Sequence, residues 1–205
     1  MAYAFVFNGP RCTGCKTCVL ACKDIHDLPC DVAYRQVYEY EGGRWTCDEH
    51  GAWSVEGSSY YVSLACNHCM EPACMKVCPT GAMHRTELGF VAVDDRRCVG
   101  CGYCALACPY HAPRVDDRLG HSVKCDGCED RVAAGGAPAC VAACPQRALD
   151  FGDLDTMGDR YGSGEEYAPL PPFAHTRPML VALAPHGARP CNDDDGRIVN
   201  VSELV

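Results

Sequence analysis

Sixteen of the nineteen cysteines in this 205-residue chain fall into four groups of four. Groups one and three share the spacing C-x2-C-x2-C-x3-C, group two has C-x2-C-x4-C-x3-C, and group four carries eleven residues between its second and third cysteines. In order, the groups are Cys12, Cys15, Cys18 and Cys22; Cys66, Cys69, Cys74 and Cys78; Cys98, Cys101, Cys104 and Cys108; and Cys125, Cys128, Cys140 and Cys144. Because about one residue in eleven is a cysteine, what these thiols bind decides which structures the chain can form.

Three kinds of chemistry compete for this pattern: disulfide bonds, structural zinc and iron–sulfur clusters. Disulfide scaffolds belong to oxidising compartments, whereas here the cysteine count is odd and the thiols are bunched. We also expect no export signal, because residues 1–10 show no basic leader, long apolar segment or twin arginine. Structural zinc needs two short knuckles, which groups two and four could supply but groups one and three could not.

Groups one and three have the spacing that bacterial ferredoxins use for a [4Fe–4S] cluster. Three closely spaced thiolates reach three irons of one cuboidal cluster, and the fourth cysteine points toward the neighbouring cluster. Gly14 and Gly100 precede the second cysteine of their groups, where we expect the backbone to approach sulfide and a Cβ atom not to fit. Pro79, Pro109 and Pro145 follow the last cysteine of a group. We therefore predict four [4Fe–4S] clusters ligated by the sixteen grouped cysteines.

Internal similarity predicts two intertwined ferredoxin-like units. Group one resembles group three, and group two resembles group four, in the residues around the cysteines. Only nineteen residues separate groups two and three, and residues 89–94 among them predict a short strand. Groups two and three are therefore assigned to an inner unit over residues 61–109. By elimination, groups one and four form an outer unit over residues 1–60 and 110–205.

The fourth cysteine of each group decides how the ligands are shared. If these cysteines cross to the partner group, the sixteen ligands divide into four new sets. The sets are Cys12, Cys15, Cys18 and Cys144; Cys66, Cys69, Cys74 and Cys108; Cys98, Cys101, Cys104 and Cys78; and Cys125, Cys128, Cys140 and Cys22.

We expect an α+β fold with a small β insertion and an extended C-terminal tail. Residues 24–65 predict an antiparallel sheet with a turn at Gly42 and Gly43, and Trp45 and Trp53 are expected in its core. Short helices are predicted near residues 18–23, 73–78, 103–108 and 126–134, and a longer one from about residue 153 to 162. The proline-rich segment 169–190 is expected to run extended over a surface, either its own or a partner's.

Charge and motifs exclude several other functions. A net charge of −9 argues against nucleic-acid binding, and no apolar run approaches the roughly 18 residues of a membrane-spanning helix. The sequence has no Ser/His/Asp set, phosphate loop or Rossmann glycine run, so we predict no catalysis by the chain itself.

Five further residues near or between the groups are assigned ordinary roles. Cys30, Cys47 and Cys191 are expected to be incidental thiols, and Lys124 is expected to face water. His68 lies inside group two, where we expect a hydrogen-bond donor or a surface residue rather than a ligand.

Short sequence motifs around the cysteines carry a family resemblance. They are Arg11-Cys12-Thr13-Gly14-Cys15-Lys16-Thr17-Cys18, Cys66-Asn67-His68-Cys69, Gly81-Ala82-Met83-His84, Gly120-His121 and Lys124-Cys125-Asp126-Gly127-Cys128. With them, essentially the whole chain resembles the four-cluster iron–sulfur subunits that accompany molybdopterin oxidoreductases, and within these the dimethyl sulfoxide reductase branch. The resemblance implies the crossed ligand sets and a position between a molybdopterin-containing catalytic subunit and a quinol-oxidising membrane anchor.

The resemblance also frames the alternatives. The same type of subunit serves dehydroxylases, polysulfide or thiosulfate reductases and formate dehydrogenases, and a zinc-binding interaction scaffold is the alternative from a different class. We expect association with the membrane through partners, and export to the periplasm together with the catalytic subunit. Otherwise the chain stays in the cytoplasm.

Overall fold

Short helices and short strands hold the cysteine-bearing loops in place. The computed structural model describes residues 2–204 and confirms the α+β class. The strands are β1 (Tyr3–Asn8), β2 (Arg35–Cys47), β3 (Trp53–Ala65), β4 (Met83–Arg85), β5 (Val91–Val93), β6 (Arg114–Asp116), β7 (His121–Val123), β8 (Leu149–Asp153), β9 (Leu180–Leu183) and β10 (Arg197–Ile198). The α-helices are α1 (Thr17–Ile25), α2 (Ala73–Lys76), α3 (Tyr103–Ala107), α4 (Glu129–Ala133), α5 (Ala139–Ala142) and α6 (Leu154–Tyr161).

A three-stranded sheet of order β8-β1-β9 brings distant parts of the chain together. Strand β1 pairs antiparallel with β8 and parallel with β9. Because side chains alternate along a strand, Phe5 and Phe7 enter the main core while Ala4 and Val6 pack against Met157 of α6. Strand β1 leads into the loop of group one and β8 follows the loop of group four, so the pairing of these strands holds the two loops close together.

The predicted helices are present within a few residues of their expected bounds. Helix α6 confirms the expected helix near 153–162: the Asp153 carboxylate caps it by accepting from the Asp155 N–H at 3.1 Å. The longest helix of the described chain, α1, has nine residues. Within residues 2–204, no helix combines the length and the apolar character needed to cross a bilayer.

The turn predicted at Gly42 and Gly43 is wrong. These residues lie inside a long β2–β3 hairpin, where Gly43 pairs with Gly57, and the strands continue to Cys47 and Trp53. The Asp48 carboxylate makes the actual turn by accepting the N–H groups of His50 and Ala52 at 2.9 and 2.8 Å.

The prediction that Trp45 and Trp53 form the core of the insertion is also wrong. Their side chains are 65% and 66% exposed, because the outer half of the hairpin extends beyond the layer that covers its base. At that base, Tyr40 and Tyr60 are buried and stack with a ring separation of 5.3 Å. Burial in this sheet is thus decided by distance from the core and not by side-chain type.

The expectation that segment 169–190 runs extended over a surface is wrong for its middle part, because β9 joins the sheet of β1 and is buried. The rest of the C-terminal tail packs against the chain itself. Tyr167, Ala168 and Leu170 are almost fully buried, and the Tyr60 hydroxyl donates to the Ala168 carbonyl at 2.8 Å. Further along, the Asn200 side chain accepts from the backbone of Glu39 and donates to that of Val37. These hydrogen bonds hold the C-terminal tail against the base of the β2–β3 hairpin.

The predicted division into inner and outer units is not tested by the fold. Strand β3 runs without interruption across the expected boundary between residues 60 and 61. The two units therefore share a continuous strand, and the division stays a prediction.

Candidate metal centres

Three cavities of nearly equal size are each lined by four of the grouped cysteines. Site 1 is lined by Cys12, Cys15, Cys18 and Cys144, site 2 by Cys66, Cys69, Cys74 and Cys108, and site 3 by Cys78, Cys98, Cys101 and Cys104. The three cavities are similar in size. Each site combines three cysteines of one group with the fourth cysteine of another.

The remaining four cysteines, Cys22, Cys125, Cys128 and Cys140, form site 4. Helix α1 packs against α5, which brings the sulfur of Cys22 toward that of Cys140. Burial raises the pKa of Cys22 to about 12, and the neighbouring sulfurs of Cys140 and Cys128 add to this rise. Burial likewise raises the pKa of Cys125, helped by the sulfurs of Cys66 and Cys22.

Helix geometry explains why the fourth cysteines cross. Residues four apart lie on one face of a helix, about one turn from each other. Helix α1 therefore presents Cys18 to site 1 and Cys22 to site 4. Helix α2 starts one residue before Cys74, which lines site 2, and ends shortly before Cys78, which lines site 3. Helix α1 thus supplies a sulfur to each of two sites, and the segment that begins with α2 and continues to Cys78 does the same.

The glycines before the second cysteines are required by the protein's own packing. Gly14 and Gly100 both have a φ of +67°, in the left-handed region that favours glycine. A Cβ at Gly14 would lie 2.5 Å from the Tyr61 ring, and one at Gly100 would lie 2.6 Å from the Gly120 carbonyl oxygen. A Cβ indeed does not fit, but the atoms it would meet belong to neighbouring side chains and backbone.

Hydrogen-bond donors surround the sulfurs. The backbone N–H groups of Ala148, Ser122 and Gly127 donate to the sulfurs of Cys144, Cys98 and Cys125 at 3.3 to 3.4 Å. In addition, the hydroxyls of Ser63 and Ser122 lie 3.3 Å from the sulfurs of Cys18 and Cys104. Donors of this kind stabilise thiolate and sulfide charge, so the loops favour a bound anionic cluster.

Two buried cations lie between the sites, and the sequence did not reveal their position. Lys124 is only 5% exposed, which makes the expectation that it faces water wrong; its ammonium donates to the carbonyls of Val91 and Cys125. Arg35 is 3% exposed. Burial opposes its charge, yet the sulfurs of Cys140 and Cys18 outweigh burial and raise the pKa of Arg35.

The donor set, the space and the remaining donors all fit [4Fe–4S] clusters. A tetrahedral zinc ion would draw four sulfurs to about 2.3 Å and leave no cavity between them. Asn67 lines site 2, and its buried Nδ2 has no hydrogen-bond partner within residues 2–204. The buried Nε atom of Arg35 likewise has no hydrogen-bond partner there. Cluster sulfur would accept from both groups.

Burial raises the pKa of several of the grouped thiols above the ordinary value. It raises the pKa of Cys12 and Cys69 to about 11 and that of Cys74 to about 12. Thiolates at these three positions therefore need a nearby cation, and binding of a metal such as iron would release the thiol protons.

The residues outside the four sites take other positions. Cys30 and Cys47 are exposed and Cys191 is half-buried, and none of the three belongs to a cysteine set. His68 is buried, so it is not the surface residue that was one of the two expectations, and its Nε2 lies 3.8 Å from the sulfur of Cys125.

Comparison with known proteins places the chain in a family. Residues 58–154 match the 4Fe-4S dicluster domain, and residues 10–34 match a 4Fe-4S binding domain. The chain is 50% identical to the B subunit of anaerobic dimethyl sulfoxide reductase from Haemophilus influenzae and from Escherichia coli, over 98% of this chain and 98% of each relative. It is 40% identical to the thiosulfate reductase electron transfer subunit PhsB of Salmonella typhi, over 75% of this chain and 77% of that relative. With its iron–sulfur domains and this full-length similarity, the chain belongs to the family of [4Fe–4S] subunits that includes the B subunit of anaerobic dimethyl sulfoxide reductase.

Proposed function

We propose that this chain is a non-catalytic electron-transfer subunit that holds four [4Fe–4S] clusters at sites 1 to 4. It relays electrons between a quinol-oxidising membrane anchor and a molybdopterin catalytic subunit of an anaerobic dimethyl sulfoxide or N-oxide reductase. The observation that carries this proposal is the presence of four crossed cysteine sets in one small chain. A bound cluster supplies one-electron transfer at a potential that the protein adjusts.

The contacts between the sites support an arrangement in a row. Sites 1 and 4 share helix α1 and the buried Arg35. Sites 4 and 2 meet where Cys125 and Cys66 pack in one cluster. Sites 2 and 3 meet where Cys74 and Cys104 pack together with Val91. The resulting order, site 1, site 4, site 2 and site 3, supports a relay with one entry and one exit.

The two ends of the row reach the surface. Cys15 at site 1 and Cys101 at site 3 are exposed, so these sites are where a partner can approach most closely. The surface over site 3 is apolar: Val99, Tyr103 and Leu106 are 65%, 56% and 85% exposed. Exposed apolar patches of this kind mark protein interfaces. This patch supports docking of a partner at site 3; we assign the membrane anchor to this end of the row and the catalytic subunit to the end at site 1.

Replacing Val99 by glutamate is expected to weaken binding of the membrane anchor by about tenfold or more, because a charge would enter an apolar interface. Val201, outside this patch, is 64% exposed, so Val201→Glu is a matched control that should leave anchor binding intact. Binding is measured by recovery of the anchor with the purified complex. Equal recovery with both variants would contradict docking at site 3.

Metal analysis tests the proposal as a whole. Protein purified without oxygen should contain about sixteen irons and about sixteen acid-labile sulfides per chain, and should show EPR signals after reduction by dithionite. A colourless protein with zinc in place of iron would support an interaction scaffold instead. Iron well below sixteen per chain would show that at least one site stays without a cluster.

The thiosulfate reductase relative favours a second catalytic partner. Its 40% identity is lower than the 50% identity to the dimethyl sulfoxide reductase subunits, but the similarity still covers three quarters of this chain. The other members of the alternative set are dehydroxylases, polysulfide reductases and formate dehydrogenases. Identification of the molybdopterin subunit that co-purifies with this chain, followed by a test of dimethyl sulfoxide against thiosulfate, separates these assignments.

We further propose that the chain reaches the periplasmic side of the membrane only together with its catalytic partner. Deleting the export signal of that partner should then leave this chain in the cytoplasm with its clusters bound. Immunodetection after cell fractionation measures the distribution. Recovery of the chain from the periplasm of such cells would contradict joint export.

A further inference from the structure

We infer that His68 donates a hydrogen bond from Nε2 to the sulfur of Cys125 and thereby raises the reduction potential of the cluster at site 4. The inference rests on the proposed function, because it concerns one of the four proposed clusters. His68 belongs to the loop of site 2, between Cys66 and Cys69, and yet its ring reaches a ligand of site 4. It is therefore a positioning residue that joins two neighbouring sites.

The backbone fixes which ring nitrogen carries the proton. The Val91 N–H donates to Nδ1 of His68 at 3.0 Å, so Nδ1 is an acceptor and a proton there is excluded. The ring proton must then be on Nε2, the atom that lies 3.8 Å from the Cys125 sulfur. The geometry thus defines both the neutral ring and the direction of its N–H.

Aromatic side chains hold the ring in this orientation. Phe90 meets it edge-on with a ring separation of 4.9 Å, and Phe5 stacks at 6.1 Å. Gly127, two residues after Cys125, leaves room for Phe90, since a Cβ there would lie 2.7 Å from that ring. His68 itself has a φ of +44°, an uncommon conformation that persists only when the surroundings impose it.

The effect on potential follows from charge. Reduction adds an electron to the cluster and its thiolates, and an N–H donor stabilises the more negative state more strongly. The Cys125 sulfur receives one such donor from the Gly127 backbone at 3.4 Å, and His68 adds a second.

A second imidazole lies at this site but is less well placed. The Nε2 atom of His26 lies 3.8 Å from the Cys128 sulfur and also 3.5 Å from the Asp126 carboxylate, with 18% of the side chain exposed. No backbone donor is found that fixes the tautomer of His26 in the described residues, and a proton on Nε2 would have two competing acceptors. His68, which is buried and has one acceptor, is the stronger candidate.

Redox titration followed by EPR tests the inference in the purified complex. His68→Leu removes the donor and should lower the midpoint potential of the site 4 cluster, while His68→Gln retains an N–H and should restore most of it. His84→Leu is the control, because His84 is half-buried and its Nδ1 contacts the Ala82 carbonyl; it should leave site 4 unchanged. Unshifted potential in both His68 variants, with four clusters present, would overturn the inference and leave the proposed function standing.

A measurement on the unaltered residue covers the case in which His68→Leu fails to bind its cluster. Protein with ¹⁵N-labelled histidine in an unlabelled background should show, in pulsed EPR of reduced site 4, coupling to a histidine nitrogen. The coupling should survive in His26→Leu and disappear when His68→Gln is added to that variant, because His26 also lies 3.8 Å from a sulfur of site 4. Its absence from His26→Leu would overturn the inference, whereas fewer than four clusters in the native protein would count against the proposed function.

Discussion

Replacing Cys22 and Cys140 together by alanine is expected to remove a single cluster, or about four irons, whereas replacing Cys22 and Cys12 together should remove two, or about eight irons. The two variants differ because the fourth cysteine of each group binds at the site of another group. Cys22 and Cys140 belong to different sequence groups but to the same site, while Cys22 and Cys12 belong to the same group but to different sites. Iron and sulfide analysis of the two double variants therefore measures the ligand sets directly.

The opposite result would contradict crossed ligation: two clusters lost with Cys22 and Cys140, and one with Cys22 and Cys12. Cys30→Ala is the control, because Cys30 is exposed and outside the four sites, and it should keep all the iron. EPR adds a second reading, since the signals that disappear identify the sites at which the row of clusters is interrupted.

Replacing Lys124 by methionine is expected to destabilise the iron-loaded protein strongly. The buried ammonium donates to the carbonyls of Val91 and Cys125, and it also lies close enough to the sulfurs of Cys74 and Cys108 to oppose their rise in pKa. Removing one partner of a buried charge arrangement costs about 3 to 5 kcal/mol. For a chain of this size we expect the temperature of cluster loss to fall by roughly 10 °C.

Lys76→Met is the matched control for this variant. The Lys76 side chain is 64% exposed and lies 3.5 Å from Glu71 on the surface, and exposed pairs contribute only about 0 to 1 kcal/mol. Cluster loss is followed by the bleaching of visible absorbance during heating. If both variants lose their clusters at the temperature of the native protein, Lys124 has no stabilising role between sites 2 and 4.

The sequence was most informative where chemistry imposes spacing. The fourth cysteine of a group follows the third by four residues, which is about one helical turn further along the chain, so the spacing x3 in front of Cys22 and Cys78 favours a sulfur directed at a second site. Similarly, the cap residues Asp153 and Gly162 predict the capped helix α6 that is present. The cysteine spacing and the helix caps depend only on residues close together in the sequence, so they can be interpreted without knowledge of the tertiary fold.

The sequence was misleading where tertiary packing, and not local geometry, determines strand pairing and burial. Gly42 and Gly43 have the composition of a turn, yet their place opposite Gly57 and Ser58 extends the hairpin. Trp45 and Trp53 are apolar but lie beyond the covering layer.

The buried cations were missed for a related reason. The sequence around Lys124 does not distinguish it from a surface lysine. Its side chain is buried because β5 lies against it and the Val91 carbonyl accepts from its ammonium. Arg35 opens a strand whose other residues give no sign of a charged interior.

Because the sites share cysteines from different groups, they become complete at different times during synthesis of the chain. Sites 2 and 3 have all their cysteines once Cys108 has emerged from the ribosome, whereas site 1 must wait for Cys144 to reach a loop that was synthesised long before. If the proposed clusters are inserted during translation, sites 2 and 3 would be complete first. Sites 1 and 4 would need a nearly finished polypeptide, because their last cysteines are Cys144 and Cys140.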